Sequence, residues 1–362
     1  MAVLEEILRG LAETDDLTWR CEVVRRAATE GRSAELYDLG LRLHAHPADT
    51  WAVSHLLDYV RQALALTPAG DNAATAVRLL RATSPKPGTV RAIAARLAAA
   101  QPLEAVLPLL VAEDAEEPAA CLTHELVLRH PGVGEAEEVR ERHRRMAAAG
   151  HPLAALPVRL LEIEHDLPLP NYGLDGWSYG LPFGPHSDRA PRRRAPVSRA
   201  EELTTPADAE LIASAVANWT TESNGRIEAR VFRLPEPATL DGDLLDALGL
   251  QALDGEGGIA ARQAAPADVM RILFAAASVG GAYGGGQGGA YGRLLAWRSL
   301  AGLTGAPAAD EVDDVAARAG ECAWLTFDAD TEWFHAVVWD LGIAALRPDG
   351  RTVAVLAGTD TD

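Results

Sequence analysis

The sequence predicts an α+β protein: an all-α N-terminal domain built as a helical repeat, HEAT- or TPR-like, followed by a C-terminal α+β domain with an antiparallel sheet. Three observations predict it. Apolar residues through the first half recur at helical spacing, with Pro or Gly at most boundaries. From Leu167 to Ala200 the texture turns Pro- and Gly-rich and loses all periodicity. Beyond it, apolar runs near the C-terminus flank Arg347-Pro348-Asp349-Gly350-Arg351, a hairpin turn in which proline presets φ and glycine accepts φ > 0. The expected organisation is a helical-repeat domain at 1–166, a linker at 167–200, and an α+β domain at 201–362 carrying a glycine-rich loop at 280–292.

In the first half, Val3, Leu4, Ile7, Leu8 and Leu11 form one apolar stripe. Trp19, Val23, Val24 and Ala27 form the next, stopped by Gly31. Ser33 caps a third helix carrying Leu36, Leu39 and Leu43, and Trp51, Leu56, Leu57, Val60 and Leu64 mark a fourth, closed by Pro68. Further helices are expected around Val77–Leu80, Val90–Leu97, Leu103–Val111, Cys121–Leu128, Val139–Met146 and Leu153–Ile163. Short connections force antiparallel neighbours, and alternate helix starts recur at steps of roughly 30 to 39 residues, the pitch of two-helix repeats.

In the second half, helices are expected at Pro206–Trp219, Leu244–Leu248, Asp268–Val279, Ala290–Leu303 and Glu311–Ala319. Strands are expected at Arg226–Leu234, Cys322–Phe327, Trp333–Trp339, Ile343–Leu346 and Thr352–Ala357.

Composition removes several chemistries. The formal net charge of −19 repels phosphate backbones, so no nucleic-acid partner is expected. Lys86 is the only lysine and sits in a turn, which leaves P-loop, Schiff-base and kinase-type lysines without a candidate. Cys21, Cys121 and Cys322 form no C-x-x-C pair and fit small buried residues in a reducing cytoplasm. The start MAVLEEILRG has no basic region, and no long apolar run follows, so neither secretion nor a membrane partner is expected.

Motif by motif, the catalytic and metal readings fail on context. His124-Glu125 lacks the second histidine one helical turn on, and the histidines read as surface or cap residues. Gly176, Ser178 and Gly180 match G-x-S-x-G, but Pro182 and Gly184 forbid the helix that a nucleophile elbow needs. Tyr172, Trp177, Tyr179 and Phe183 are expected to tack the linker onto the domains, and Arg192–Arg194 form the one basic cluster. Asp328, Asp330 and Glu332 open like a calcium loop but lack its glycine and terminal glutamate, and Asp360 and Asp362 read as a solvated tail. No catalytic residue, metal or cofactor is assigned.

One stretch stands apart. Gly280–Gly292 reads GGAYGGGQGGAYG, with glycine at eight of thirteen positions and the pentamer GGAYG twice. Gly284, Gly286 and Gly289 satisfy G-x-G-x-x-G, yet a helix precedes them where a dinucleotide site needs a strand. If the tract binds a small anionic ligand, the residues to carry it are Gly281, Tyr283, Gly286, Gly289, Tyr291, Arg293, Trp297 and Arg298, near a helix N-terminus. The run GGAYG…GGAYGRLLAWRSLAGL with WFHAVVWDLGIAALRPDGRTVAVLAGTDTD resembles an uncharacterised bacterial family, domain of unknown function 6183. The resemblance covers Gly280–Leu303 and Trp333–Asp362, implies that the two belong to one unit, and implies no activity. The expectation is a cytoplasmic interaction or regulatory module with a protein partner, the helical stack offering its surface. A ligand-binding protein or enzyme with its site at the tract is the alternative.

Overall fold

The computed structural model describes residues 2–111, 116–184, 189–191, 200–307 and 310–361; Arg192–Arg194 and Asp362 lie outside them. They divide into two compact units, Met1–Ala154 with Pro170–Tyr179, and Ala155–Leu169 with Gly180–Asp362. The segment expected as a linker therefore contributes to both.

In the first unit the helices are α1 (Ala2–Leu8), α2 (Thr18–Thr29), α3 (Ser33–His44), α4 (Trp51–Leu66), α5 (Asn72–Thr83), α6 (Pro87–Ala100), α7 (Leu103–Leu110), α8 (Glu116–Arg129) and α9 (Glu137–Ala148). Each helix packs on the one two places further along, so the odd-numbered helices form one row and the even-numbered a second. Consecutive helices from α2 onward bridge the rows. Leu36 and Leu39 of α3, Leu56, Val60 and Leu64 of α4, and Leu79 of α5 are buried in this stack. A polar bolt locks the early turns: the Asn72 amide donates to the carbonyls of Ala28 (2.9 Å) and Thr67 (3.0 Å), while Ser33 Oγ donates to its Oδ1 at 2.8 Å. Ser33 is thus spent on a tertiary contact and makes no side-chain cap.

Three expectations fail here. Leu153–Ile163 holds only short 3-10 turns, Pro152–Ala155 and Glu162–Glu164, because Pro157 in its middle lacks the N–H a helix needs. His124 is fully buried, edge-on to His143 with ring centroids 6.5 Å apart. His46 and His151 do serve at boundaries, where their Nδ1 atoms accept the N–H of Ala48 and Leu153. The stripe positions Trp19 and Trp51 face outward, 41% and 61% exposed.

Strands β1 (Asn171–Gly173) and β2 (Gly176–Ser178) form a hairpin held by Tyr172. The guanidinium groups of Arg96 and Arg129 lie 5.0 and 5.4 Å from that ring, and Arg129 Nη2 donates to the Pro170 carbonyl. Ser178 is exposed on β2, with no nucleophile elbow around it. Burial pushes the Tyr172 hydroxyl up to about 12, with Glu125 adding to the shift and Arg129 and Arg96 opposing it. An unfolded tyrosine releases its proton near 10, so between about pH 10 and 12 the native state binds more protons than the unfolded one. The contribution is complete below pH 10 and is lost as pH climbs through about 12, roughly 3 kcal/mol in all. Tyr172→Phe is expected to flatten the decline of the thermal midpoint across that window; parallel profiles for the two proteins would contradict this.

The second unit adds β3 (Glu201–Glu202), α10 (Pro206–Ala213), α11 (Ala217–Thr221), β4 (Arg226–Arg233), α12 (Gly242–Ala247), β5 (Ile259–Gln263), α13 (Pro266–Val279), α14 (Gly288–Thr304), α15 (Val312–Glu321), β6 (Ala323–Ala329), β7 (Leu341–Leu346) and β8 (Thr352–Thr359). The strands form one antiparallel sheet in the order β3-β4-β8-β7-β6-β5. Helices α10, α13 and α14 pack on one face. The other carries an apolar cluster in which Leu245, Leu250, Leu253 and Phe334 meet Phe327, Ala344, Val353 and Val355. With both faces covered, β7 and β8 are buried at every position, which explains their unbroken small apolar runs. The turn between them forms as expected: Gly350 has φ of +66°, and Asp349 accepts the amides of Arg351 and Thr352.

Two sheet expectations are corrected. Trp333–Trp339 is irregular, because Asp340 accepts the amides of His335 and Val337 and Thr331 Oγ1 accepts that of Phe334, side chains taking what a ladder would use. The strands not anticipated are the two-residue β3, paired to the end of β4, and β5, paired to β6 from Ile259↔Ala329 to Gln263↔Leu325.

Candidate functional site

The glycine tract is half loop and half helix. Gly280–Gln287 is irregular, and α14 starts at Gly288, so the expected loop at 280–292 ends five residues early. The reason is packing between α13 and α14. A Cβ on Gly292 would lie 2.9 Å from Ser278 Cα, and one on Gly286 would lie 2.0 Å from the Ser278 carbonyl oxygen. Polar side chains hold the loop. Asp360 Oδ2 accepts the Ala282 amide at 2.6 Å, Ser223 Oγ accepts the Tyr283 amide and donates to Asp360 Oδ1, and the Asn218 amide donates to the Gly285 carbonyl. Asp360 is completely buried, contrary to a solvated tail.

The eight candidate residues do not converge. Gly281 is buried with its Cα turned toward Asp360, where a Cβ would collide with Oδ2. Tyr283 is 65% exposed, Tyr291 half-buried on α14, Gly286 half-buried beneath Ser278, and Gly289 buried in the first turn of α14. Arg293 is completely buried and bidentate to Glu164, Nε to Oε1 at 2.6 Å and Nη2 to Oε2 at 2.8 Å. Trp297 Nε1 donates to the same Oε1 at 2.8 Å. Arg298 is exposed and lines a cleft of about 600 Å³ with Asp208, Glu210, Ser214 and Arg347. Arg347 is committed there to the carbonyls of Leu303 and Gly302. Asp328 is paired with Arg189, and no group of three His, Cys, Asp or Glu side chains able to hold a metal occurs among the described residues.

A different site emerges in the helical unit. A cleft of about 810 Å³ lies between α2 and α4 and is lined by Asp15, Asp16, Trp19, Cys21, Glu22, Arg25, Trp51, His55, Tyr59 and Asp175. Helix geometry puts the tryptophans there. Trp51 stands nine residues before the buried Val60, about 180° around α4, and Trp19 five before the buried Val24, about 140° around α2. One indole face of each is covered, Trp19 by the Arg20 guanidinium 4.7 Å from the ring centroid, Trp51 by His55 stacked at 5.0 Å. Both rings stay exposed, Trp51 more than Trp19.

Polar groups of the lining pair with one another. Arg25 donates from Nε to Tyr59 Oη at 3.3 Å and pairs through Nη2 with Asp175. Asp16 accepts the Thr18 amide at 2.8 Å at the mouth of α2, and hydrogen bonding from Thr18, side chain before backbone, holds its carboxyl below the ordinary range. Burial pushes the Cys21 thiol up, away from thiolate chemistry. Four carboxylates face a single guanidinium among the lining residues, so the cleft is acidic as well as aromatic. Periodicity alone assigns both tryptophans to the core; their angular offset from Val24 and Val60 was the signal that separates them from it.

No curated protein and no solved structure matches the chain. No helix among the described residues is long and apolar enough to cross a membrane. A family model matches residues 18–362, taking in both cleft helices and reaching well beyond the two C-terminal stretches that carry the resemblance. The match takes in nearly all of both units, and the chain belongs to the family of unknown function DUF6183.

Proposed function

We propose that this chain is a cytoplasmic protein-interaction module whose recognition surface is the cleft between α2 and α4. The observation that carries this reading is the exposure of Trp51 and Trp19, 61% and 41%, on the rim of one concavity. Large exposed aromatics grouped at a cleft are uncommon on a monomer surface, and tryptophan is the side chain that dominates binding energy at protein interfaces. Both indoles sit on helices fixed by the stack, so their placement costs little ordering on association. A small anionic ligand at the glycine tract is disfavoured, because the Arg293 guanidinium is spent on Glu164.

The test is affinity capture from the native cell extract with wild-type protein and Trp51→Ala in parallel, each captured protein then being purified and titrated against both. A partner bound by the wild type and weakened about tenfold or more in the variant supports the reading. Identical retention by the two proteins overturns it.

A further inference from the structure

We infer that the cleft takes an arginine side chain presented by a partner polypeptide, a reading that rests on the proposed interaction role and names its chemistry. Three features point to a guanidinium. The lining is acidic, Asp15, Asp16, Glu22 and Asp175 against Arg25, in a chain whose net charge of −19 draws cations toward it. The rim offers the open faces of Trp19 and Trp51, and indole is the best aromatic partner for a cation. A guanidinium satisfies both at once, stacking flat on a ring while its fork of N–H donors reaches carboxylate oxygens, where an ammonium acts only as a point charge.

The chain uses the same pairing internally. Arg20 lies over Trp19, Arg78 over Tyr37 at 4.5 Å, and Arg96 and Arg129 over Tyr172. Within the cleft Arg20 already lies over one face of Trp19, while Arg25 is held to Tyr59 and Asp175 and stacks on neither indole, so the more exposed Trp51 is the ring left to an incoming group.

The experiment titrates the full chain, followed by tryptophan fluorescence, with three probes: a short peptide carrying two arginines separated by glycine, the same peptide with both arginines replaced by citrulline, and choline. Citrulline keeps the planar shape while removing the charge and turning one NH2 end of the fork into a carbonyl acceptor. The arginine peptide is expected to bind about tenfold or more tighter than the citrulline peptide, and to lose about tenfold in Trp51→Ala and several-fold in Asp15→Asn. Both positions are exposed, so neither substitution threatens the fold. Equal binding of the two peptides, binding insensitive to both substitutions, or binding of choline without the arginine peptide each overturns the inference. Failure here beside Trp51-dependent partner capture leaves the interaction reading in place; failure of both experiments removes the two together.

Discussion

Replacing Arg293 with alanine is expected to destabilise the second unit by about 3–5 kcal/mol, the largest single-residue effect in the molecule. The side chain is completely buried and makes a closed set of contacts. Nε and Nη2 donate to the two oxygens of Glu164, Nη1 donates to the Pro157 carbonyl at 2.9 Å, and Nη2 also to that of Arg159 at 2.8 Å. Glu164 is equally saturated, accepting the Trp297 indole N–H and the Leu161 amide. Removing the guanidinium strands a buried carboxylate together with two carbonyls, and the loss is dominated by that uncompensated desolvation. Arg293→Lys is expected to recover only part, since one ammonium cannot reproduce a planar fork spread over four acceptors. The double replacement Arg293→Met with Glu164→Leu, which removes both charges, is expected to be more stable than Arg293→Ala. Urea unfolding monitored by fluorescence checks all three; a loss under about 1 kcal/mol for Arg293→Ala would falsify the assignment.

An alanine scan of the glycine tract is expected to separate neighbouring positions sharply. Gly286→Ala places a methyl against the Ser278 and Val279 carbonyls, at 2.0 and 2.5 Å, and Gly292→Ala places one between 2.7 and 3.1 Å from Ser278 Cβ, Cα and N. These are backbone neighbours that cannot rotate aside, so each substitution is expected to cost about 1–3 kcal/mol through forced separation of α13 and α14. At Gly285 the nearest atom to an added Cβ is a Glu222 carboxylate oxygen at 3.7 Å, an ordinary contact, and the change is expected to fall within about 0.5 kcal/mol of wild type. Three thermal melts decide it, and equal sensitivity at the three positions would show the tract to be governed by backbone freedom and not by packing.

What could be read from the residues was whatever is written locally. Gly31 and Pro68 end helices within a few positions of where stop signals place them, and the Arg347–Arg351 turn fixes β7 against β8. Where side chains compete with the backbone, local pattern misleads: Trp333–Trp339 is an aromatic- and valine-rich run of the kind strands favour, yet Asp340 and Thr331 take its amides. The short β5 escaped notice because its register comes from β6, more than sixty positions away. The candidate residues around Arg293 suffered the same limit from the opposite direction. An arginine beside a glycine-rich helix start looks available until Glu164, 129 residues earlier, is brought against it. The aromatic cleft was hidden by a coarser error, since a stripe of spacing i, i+4 says nothing about a tryptophan lying well off its axis.

The pairing of β4 with β8, Ala229 facing Leu356, has a kinetic consequence. Helices that touch only their near neighbours along the chain can form while synthesis is still under way, whereas the central ladder cannot close until its last strand has emerged. During that interval β4 stands with its β8-facing edge unpaired. Crowded translation therefore places this protein's aggregation hazard in the mixed unit and not in the stack that precedes it.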